Sequence, residues 1–214
     1  MKEERQKPKD KKVSEAVIRR LPKYLRQLED LKNRGIERIS SGELSNEMGL
    51  NASQIRQDFN CFGGFGQQGY GYQVSVLLNE IRTILGLNKQ YKAIIIGAGN
   101  IGLALSSYSG FAEEGFLIES AFDVNSELIG KKLGNLPVLD VKDMQSYIRE
   151  NNIEIAIICT QKEVAQEITD LVTEAGVKGV WNYAPIDVFS KSAFIENVHL
   201  SDSLFVLSYR LQNI

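Results

Sequence analysis

The chain is poor in the residues from which catalytic and metal centres are most often built. It holds one histidine, His199, and two cysteines, Cys61 and Cys159, in 214 residues. The cysteines lie far apart and show no metal-ligand spacing, which points to free thiols in a reducing compartment rather than a disulfide framework. His199 has no evident acid–base partner beside it in sequence, and no Tyr-x-x-x-Lys pair occurs in the second part of the chain. No apolar run approaches the ~20 residues of a membrane span. The basic start "MKEERQKPKDKK" lacks the apolar stretch of a secretion signal. A cytoplasmic location is therefore the expectation. The length fits one large domain or two small ones, and 43% hydrophobic residues suffice for at least one core.

Charge is also scarce in balance, with a net value of −2, but it is unevenly placed. Residues 1–82 carry 15 Lys and Arg against 11 Asp and Glu, and residues 83–214 carry 10 against 16. Such asymmetry suggests that the first part meets a polyanion, although the first twelve residues supply most of the excess.

What the first part does hold is helical. Val17, Ile18, Leu21, Leu25, Leu28 and Leu31 recur on one helix face between Ser14 and Arg34. Pro22 demands either a kink or two helices meeting at Leu21. In "SSGELSNEMG", Ser40 or Ser41 caps a short helix that Gly49 ends. Asn51 and Gln54 then fit a capping box, opening a helix that buries Ile55 and Phe59 and shows Gln54, Arg56, Gln57 and Asp58 to solvent. This is the helix-turn-helix order, whose last helix enters the major groove. Arg56 suits a guanine edge or a phosphate, and Gln54 or Gln57 an adenine; Ser53 and Asn60 are further candidates on the same helix. Five glycines and two aromatics follow between Gly63 and Gly71. Glycine permits positive φ and close backbone approach, so the stretch reads as a two-stranded wing. Its tip near Gly66–Gly69, with Gln67, Gln68 and Tyr70, is placed against DNA.

The second part opens with "KAIIIGAGNIGLAL". A strand runs into Gly97, Gly99 and Gly102 at the dinucleotide spacing, with Asn100 and Ile101 between them, and a helix pattern follows. A second strand ends at Asp123, 21 residues beyond Gly102, where a carboxylate can bond ribose hydroxyls and repel a 2′-phosphate. NAD is thus expected over NADP, with Thr160, after "IEIAIIC", as another cofactor contact. Further strands, in "LPVL", "IEIAIICT", "VKGVWNY" and "VHL", alternate with helices at Val141–Glu150 and Glu163–Ala175, giving a doubly wound parallel sheet. "LFVLSYRLQNI" closes as an apolar helix that needs a partner surface.

A dehydrogenase needs a substrate domain and proton-moving groups, and neither is evident, so a nucleotide fold joined to a DNA-binding fold reads as a sensor. A small NAD(P)H-dependent oxidoreductase with an accessory helical domain is the rival. The motifs "VIRRLPKYLRQLEDL", "ERISSGELS", "QIRQDF…FGGFGQQGYGY", "IIIGAGNIG", "FDVN", "WNYAP" and "NVHLS" resemble, along nearly the whole chain, the bacterial redox-sensing repressor family Rex. The resemblance implies a homodimer on inverted-repeat double-stranded operator DNA, released by NADH while NAD⁺ competes without releasing it, and a C-terminal helix exchanged between subunits. It also implies an interdomain arginine at Arg26 and a tyrosine near the nicotinamide at Tyr108. The chain departs from the family pattern at Gln67, Gln68 and Gln57, where relatives often carry basic residues, and at His199, where many have an aspartate of the switch. A DNA-binding paralogue with a weakened redox response is the reading that His199 keeps open. The expected α/β organisation is a basic tail (1–12), a winged helix-turn-helix domain (13–84), a Rossmann-like NAD(H) domain (85–202) and a swapped helix (203–214).

Overall fold

Pro22 divides the first apolar stretch. It has no N–H for an i→i−4 bond, so it is tolerated in a first turn and not in a helix interior. In the computed structural model, which describes residues 13–63 and 70–212, the chain makes α1 (Glu15–Ile18) and restarts as α2 (Leu21–Asn33), with Pro22 at its beginning. The two helices do meet at Leu21. α2 buries Leu21, Tyr24, Leu25, Leu28 and Leu31, the stripe of one helix face.

After β1 (Arg38–Ile39), Ser40 caps α3 (Ser41–Met48): the Glu43 N–H donates to Ser40 Oγ at 3.1 Å and the Ser40 N–H donates to Glu43 Oε2 at 2.7 Å. α4 (Ala52–Asn60) begins differently from the expected capping box. Asn51 Oδ1 accepts the Ser53 N–H at 2.8 Å, and Gln54 does not return a bond, because its amide is committed to Asp58. β2 (Tyr72–Gln73) pairs antiparallel with β1, and α5 (Val74–Ile84) closes the unit against α2. The described limb that returns from the expected wing pairs with Arg38–Ile39. Gly71 makes that approach possible, at φ +68° with a hypothetical Cβ only 2.7 Å from the Ile39 carbonyl oxygen. The expected tip, with Gly66, Gln67 and Gln68, lies outside the described residues, as does the tail.

A second correction concerns Asp58, expected in solvent and found 1% exposed. Arg20 Nε and Nη2 donate to its two carboxylate oxygens at 2.6 and 2.8 Å, Tyr24 Oη donates to Oδ2 at 2.6 Å, and Gln54 Nε2 donates to Oδ1 at 2.8 Å. Burial alone would raise this carboxyl's pKa, but the bonds from Arg20, Tyr24 and Gln54 outweigh it and hold the value below the usual range.

The chain divides into two compact units, Met1–Asn88 and Lys89–Ile214. The second is a seven-stranded sheet in the order β5-β6-β4-β3-β7-β8-β9. Its strands are β3 (Tyr91–Ile96), β4 (Phe116–Asp123), β5 (Lys132–Leu133), β6 (Leu136–Asp140), β7 (Ile155–Ile158), β8 (Gly179–Asn182) and β9 (Phe194–Asn197). Every neighbouring pair is parallel except β5 with β6, an antiparallel edge not foreseen from sequence. The isoleucines of β3 show why a continuous apolar run becomes a central strand. Ile94 and Ile96 enter one core with Phe122 and Ile158, while Ala93 and Ile95 enter another with Ala121 and Ile157. The last strand is Phe194–Asn197, just before the "VHL" expected to form it.

The connecting helices are α6 (Asn100–Ser106), α7 (Gly110–Glu113), α8 (Met144–Asn151, preceded by a 3₁₀ turn at Val141–Asp143) and α9 (Lys162–Ala175). α10 (Asp202–Leu211) ends the described chain, and none of its residues is buried. No helix among the described residues is long and apolar enough to cross a membrane.

Removing the carboxylate from Asp58 leaves a largely buried guanidinium and phenol without their acceptor. Asp58→Ala is expected to destabilise the first unit by ~3 kcal/mol at neutral pH, read from amide exchange in α2 and α4 of the full chain. Because the folded carboxyl is depressed, its stabilisation is present above the ordinary carboxylate range and is lost as pH falls through the folded value. A variant as protected as the parent at pH 7 would contradict this.

Candidate functional site

Two surfaces carry the residues singled out in the sequence. On α4, the inward positions are Ile55, Asp58 and Phe59. The outward ones, Ser53, Arg56, Gln57 and Asn60, are all exposed at the spacing i, i+3, i+4, i+7 of a single helix face. Arg56 Nη1 donates to Ser41 Oγ at 2.9 Å, so the first turn of α3 steers the guanidinium. Ser41 has this role without having been a sequence candidate. Gln54, expected on the outward face, is half-buried at its margin and bonded inward to Asp58. Tyr70, where description resumes, is 71% exposed.

The second surface lies where β3, β4 and β7 end. Gly97 has φ +101°, and a Cβ there would stand 2.6 Å from the Cys159 carbonyl oxygen. A Cβ on Gly102 would collide with the Gly97 carbonyl oxygen. Two of the three motif glycines are thus required by chain packing. Gly99 is different: its φ is −79° and nothing lies within 4 Å of a Cβ there, so its smallness leaves open space at the start of α6. The amides of Asn100, Ile101 and Gly102 form the helix's first turn, where N–H groups lack intrahelical acceptors and favour an anion. Asp123 is pinned beside the turn. Its Oδ2 accepts the Ala98 N–H at 2.7 Å and its Oδ1 accepts the Asn125 N–H at 2.8 Å.

Gly97, Gly99, Asp123 and Thr160 line one cavity of about 730 Å³, which extends between α8 and α9 past Val124 and Lys142. The volume is in the range of small-molecule and cofactor sites. Thr160 Oγ1 is buried at its wall with no hydrogen-bond partner among the described residues, an acceptor and donor that a polar ligand would satisfy. Close-packed glycines, a fixed carboxylate and an unsatisfied hydroxyl fit a dinucleotide in its diphosphate, ribose and amide portions. The Cys159 thiol is pushed up to about 12 by burial, which removes it from thiolate chemistry at neutral pH. No cluster of three or more His, Cys, Asp or Glu suited to a metal occurs among the described residues.

Tyr108 does not line this cavity. It is 61% exposed, covers Gly110 and packs edge-on against Phe111 at 4.8 Å between ring centroids. Phe111 in turn meets Trp181 at 5.6 Å, and Trp181 meets Tyr183 at 4.9 Å. This aromatic row joins α7 to β8 and was not foreseen, since its two halves are far apart in sequence. Arg26 is exposed on α2 of the first unit, whereas Tyr108 and His199 belong to the second.

Residues 12–60 match the family described as "Putative DNA-binding protein N-terminus", and residues 88–186 match the family described as "CoA binding domain". The chain is 53% identical to the redox-sensing transcriptional repressor Rex of Clostridioides difficile strain 630, over 95% of this chain and 97% of that protein. Among solved structures it resembles RSP, a Rex-family repressor. The RSP complex with β-NAD⁺ and operator DNA matches with a TM-score of 0.90 at 52% identity, covering 94% of this chain and 93% of the other. The RSP complex with β-NADH matches with a TM-score of 0.87 at 48% identity, covering 95% and 96%.

His199 has no evident acid–base partner beside it in sequence, and the fold brings one from twelve residues away. Its Nε2 lies 2.8 Å from Asp187 Oδ1, joining the loop after β8 to the segment that leads into α10. The hydrogen bond to Asp187 raises the imidazole pKa above its ordinary value near 6.5, with smaller help from the charges of Asp187 and Asp202. The sign follows from linkage: the pairing contributes fully below the unfolded value and is lost as pH rises through the folded one. As the sole histidine, His199 gives one imidazole signal in proton NMR. Its midpoint is expected above that of a free imidazole and should fall toward it in Asp187→Asn. A midpoint unmoved by that substitution would show that Asp187 is not the cause.

Proposed function

The chain belongs to the family of redox-sensing transcriptional repressors called Rex, and we propose that it acts as one: a repressor that binds operator DNA through α4 and is released when its second unit takes up NADH. The observation that carries the reading is one fold holding both an outward polar stripe on a helix-turn-helix and a glycine turn with a fixed carboxylate. RSP, so similar along its whole length, is known both on operator DNA with NAD⁺ and with NADH.

Arg56 and Gln57 read base edges, Ser53 and Asn60 flank them, and Gly66, Gln67, Gln68 and Tyr70 are further contacts to the DNA. Gly97, Gly99, Asn100, Ile101 and Gly102 hold the diphosphate of NAD(H), Asp123 holds the adenosine ribose, and Thr160 lies on the nicotinamide side; Tyr108, outside this cavity, meets the nicotinamide only through the family resemblance. Neither base readout nor nucleotide binding asks for a proton-moving residue, and the chain is a regulator rather than an enzyme.

The redox states of the nucleotide differ in the charge of the nicotinamide ring, and that difference is the signal. Apolar surroundings accept a neutral ring more readily than a cation, which loses hydration there. The protein has a DNA-competent and a released arrangement, and ligand shifts the balance only by its preference for one of them. Driving the population from almost fully bound to almost fully released takes ~5 kcal/mol of such preference. Arg26, Tyr108 and His199 are the residues assigned to the switch. Where many relatives have an aspartate, His199 stands in hydrogen-bond contact with the Asp187 carboxylate, which keeps an acid at this corner.

α10 supplies the dimer. Leu204, Phe205, Leu207, Tyr209 and Leu211 are each at least half exposed, an apolar surface that is stable in water only when another surface covers it. A second copy covers it by helix exchange, as the family pattern implies. Phe205→Glu is expected to shift the protein to monomer in light scattering, whereas an unchanged dimer would remove α10 from the interface.

The nucleotide assignment is tested by isothermal titration with NADH, NAD⁺, NADPH and coenzyme A. NADH is expected to bind most tightly, and Asp123→Ala to weaken it about ten-fold, the loss of a hydrogen bond to a charged group. Equal NADH affinity in the variant, or tighter binding of coenzyme A, would contradict the assignment.

A further inference from the structure

The polar residues of α4 divide into two classes that the sequence does not distinguish. Ser53, Arg56, Gln57 and Asn60 face outward on one stripe, while Gln54 and Asp58, one turn apart, are tied to each other and to α2. Resting on the operator-binding reading above, we infer that Asp58 and Gln54 are positioning residues for sequence recognition: a buried polar hub that fixes the rotation of α4 about its axis and so aims Arg56 and Gln57.

Apolar contacts alone do not set that rotation sharply. Ile55 and Phe59 are one turn apart and pack in a mixed aliphatic and aromatic core, in which small rotations exchange one contact for another. The Asp58 carboxylate is directional. It receives four hydrogen bonds of 2.6–2.8 Å from three side chains, two of them from the fork of one guanidinium. Arg20 projects from the α1–α2 junction and Tyr24 from the first turns of α2, so the hub ties the reading helix to the element that Pro22 starts. A helix with side chains of radius ~5 Å carries its tips ~2 Å sideways for a rotation of ~20°. Bidentate base contacts do not survive such a displacement. Gln54 takes part as a strut, with its amide nitrogen committed inward, and does not read an adenine edge.

The two roles leave different signatures in base preference. A reading residue, when removed, loses discrimination at the one position it touches; a positioning residue, when removed, lowers discrimination at all of them together. The experiment is selection from a pool of duplexes carrying randomised inverted repeats. Full-length wild type, Gln54→Ala, Gln57→Ala, Tyr24→Phe and Asp58→Asn are compared well below their melting temperatures, with folded protein verified by circular dichroism. Wild type defines the site, and each variant's preference is read position by position. Gln57→Ala is expected to lose about ten-fold discrimination at one position per half-site. Gln54→Ala and Tyr24→Phe are expected to lose several-fold at every position in proportion, with affinity for non-specific DNA and the salt dependence unchanged, since no phosphate contact is removed. These two keep the test decisive if Asp58→Asn does not fold.

A loss confined to one base position in Gln54→Ala would make Gln54 a reader and overturn the inference while leaving the repressor reading intact. Preferences unchanged in both Gln54→Ala and Tyr24→Phe would reduce the hub to a stabilising contact and overturn it as well. A wild-type protein that selects no sequence would overturn the repressor reading and the inference with it.

Discussion

Three backbone segments meet at the carboxyl ends of β3 and β7 at distances that leave no room for a side chain. The Gly97 position faces the Cys159 carbonyl, and the Gly102 position faces the Gly97 carbonyl. This close approach lets α6 start directly from the end of β3, and it seats the β7 end against the glycine turn, with the Cys159 N–H donating to the Ile96 carbonyl at 2.7 Å. Once those positions are fixed, the rest of the site has little freedom. β4 runs parallel beside β3, so its last residue, Asp123, arrives next to the turn and is held by the Ala98 amide. Thr160 follows Cys159 and faces the same cavity. A methyl group at either glycine would displace backbone rather than a flexible side chain, and the whole site would move with it.

The first unit solves the same problem, the precise aiming of a few groups, by other means. Among the described residues no close-packed glycine supports α4. A buried carboxylate does, and it is expensive to bury unless fully satisfied. Asp58 meets that condition through Arg20, Tyr24 and Gln54, and Arg56 gains a further guide from Ser41. Such a network has one good geometry, whereas an apolar contact of similar area has several. The two units therefore build their candidate sites differently, the second from close-packed backbone and the first from a side-chain network.

Much of this was legible in the residues. Pro22 marked the α1–α2 junction because its ring and missing N–H act locally. The three glycines and Asp123 marked the nucleotide fold because strand, turn and helix follow within one continuous segment. Helical period placed Arg56 and Gln57 outward as found, but it placed Gln54 and Asp58 there too, and these turn inward. What was not legible depends on partners brought together by the fold. Asp58 read as a surface residue because Arg20 stands 38 residues before it, and nothing in "QIRQDF" announces that partner. The acid that His199 meets was hidden for the same reason, since Asp187 belongs to a different loop. The pairing of the returning limb with Arg38–Ile39 was not legible because a two-residue strand leaves no periodic trace. The aromatic row from Tyr108 to Tyr183 likewise joins two separate segments.

The account rests on one coupling: nucleotide bound in the second unit changes the affinity of the first for DNA, and only the reduced form does so. Fluorescence anisotropy of a labelled inverted-repeat operator, titrated with NADH and separately with NAD⁺ at one fixed salt concentration, measures it directly. Release by NADH, with NAD⁺ leaving the complex intact and raising the NADH needed, is the predicted result. Operator binding indifferent to both nucleotides would contradict the coupling, and release by both alike would contradict the sensing of ring charge.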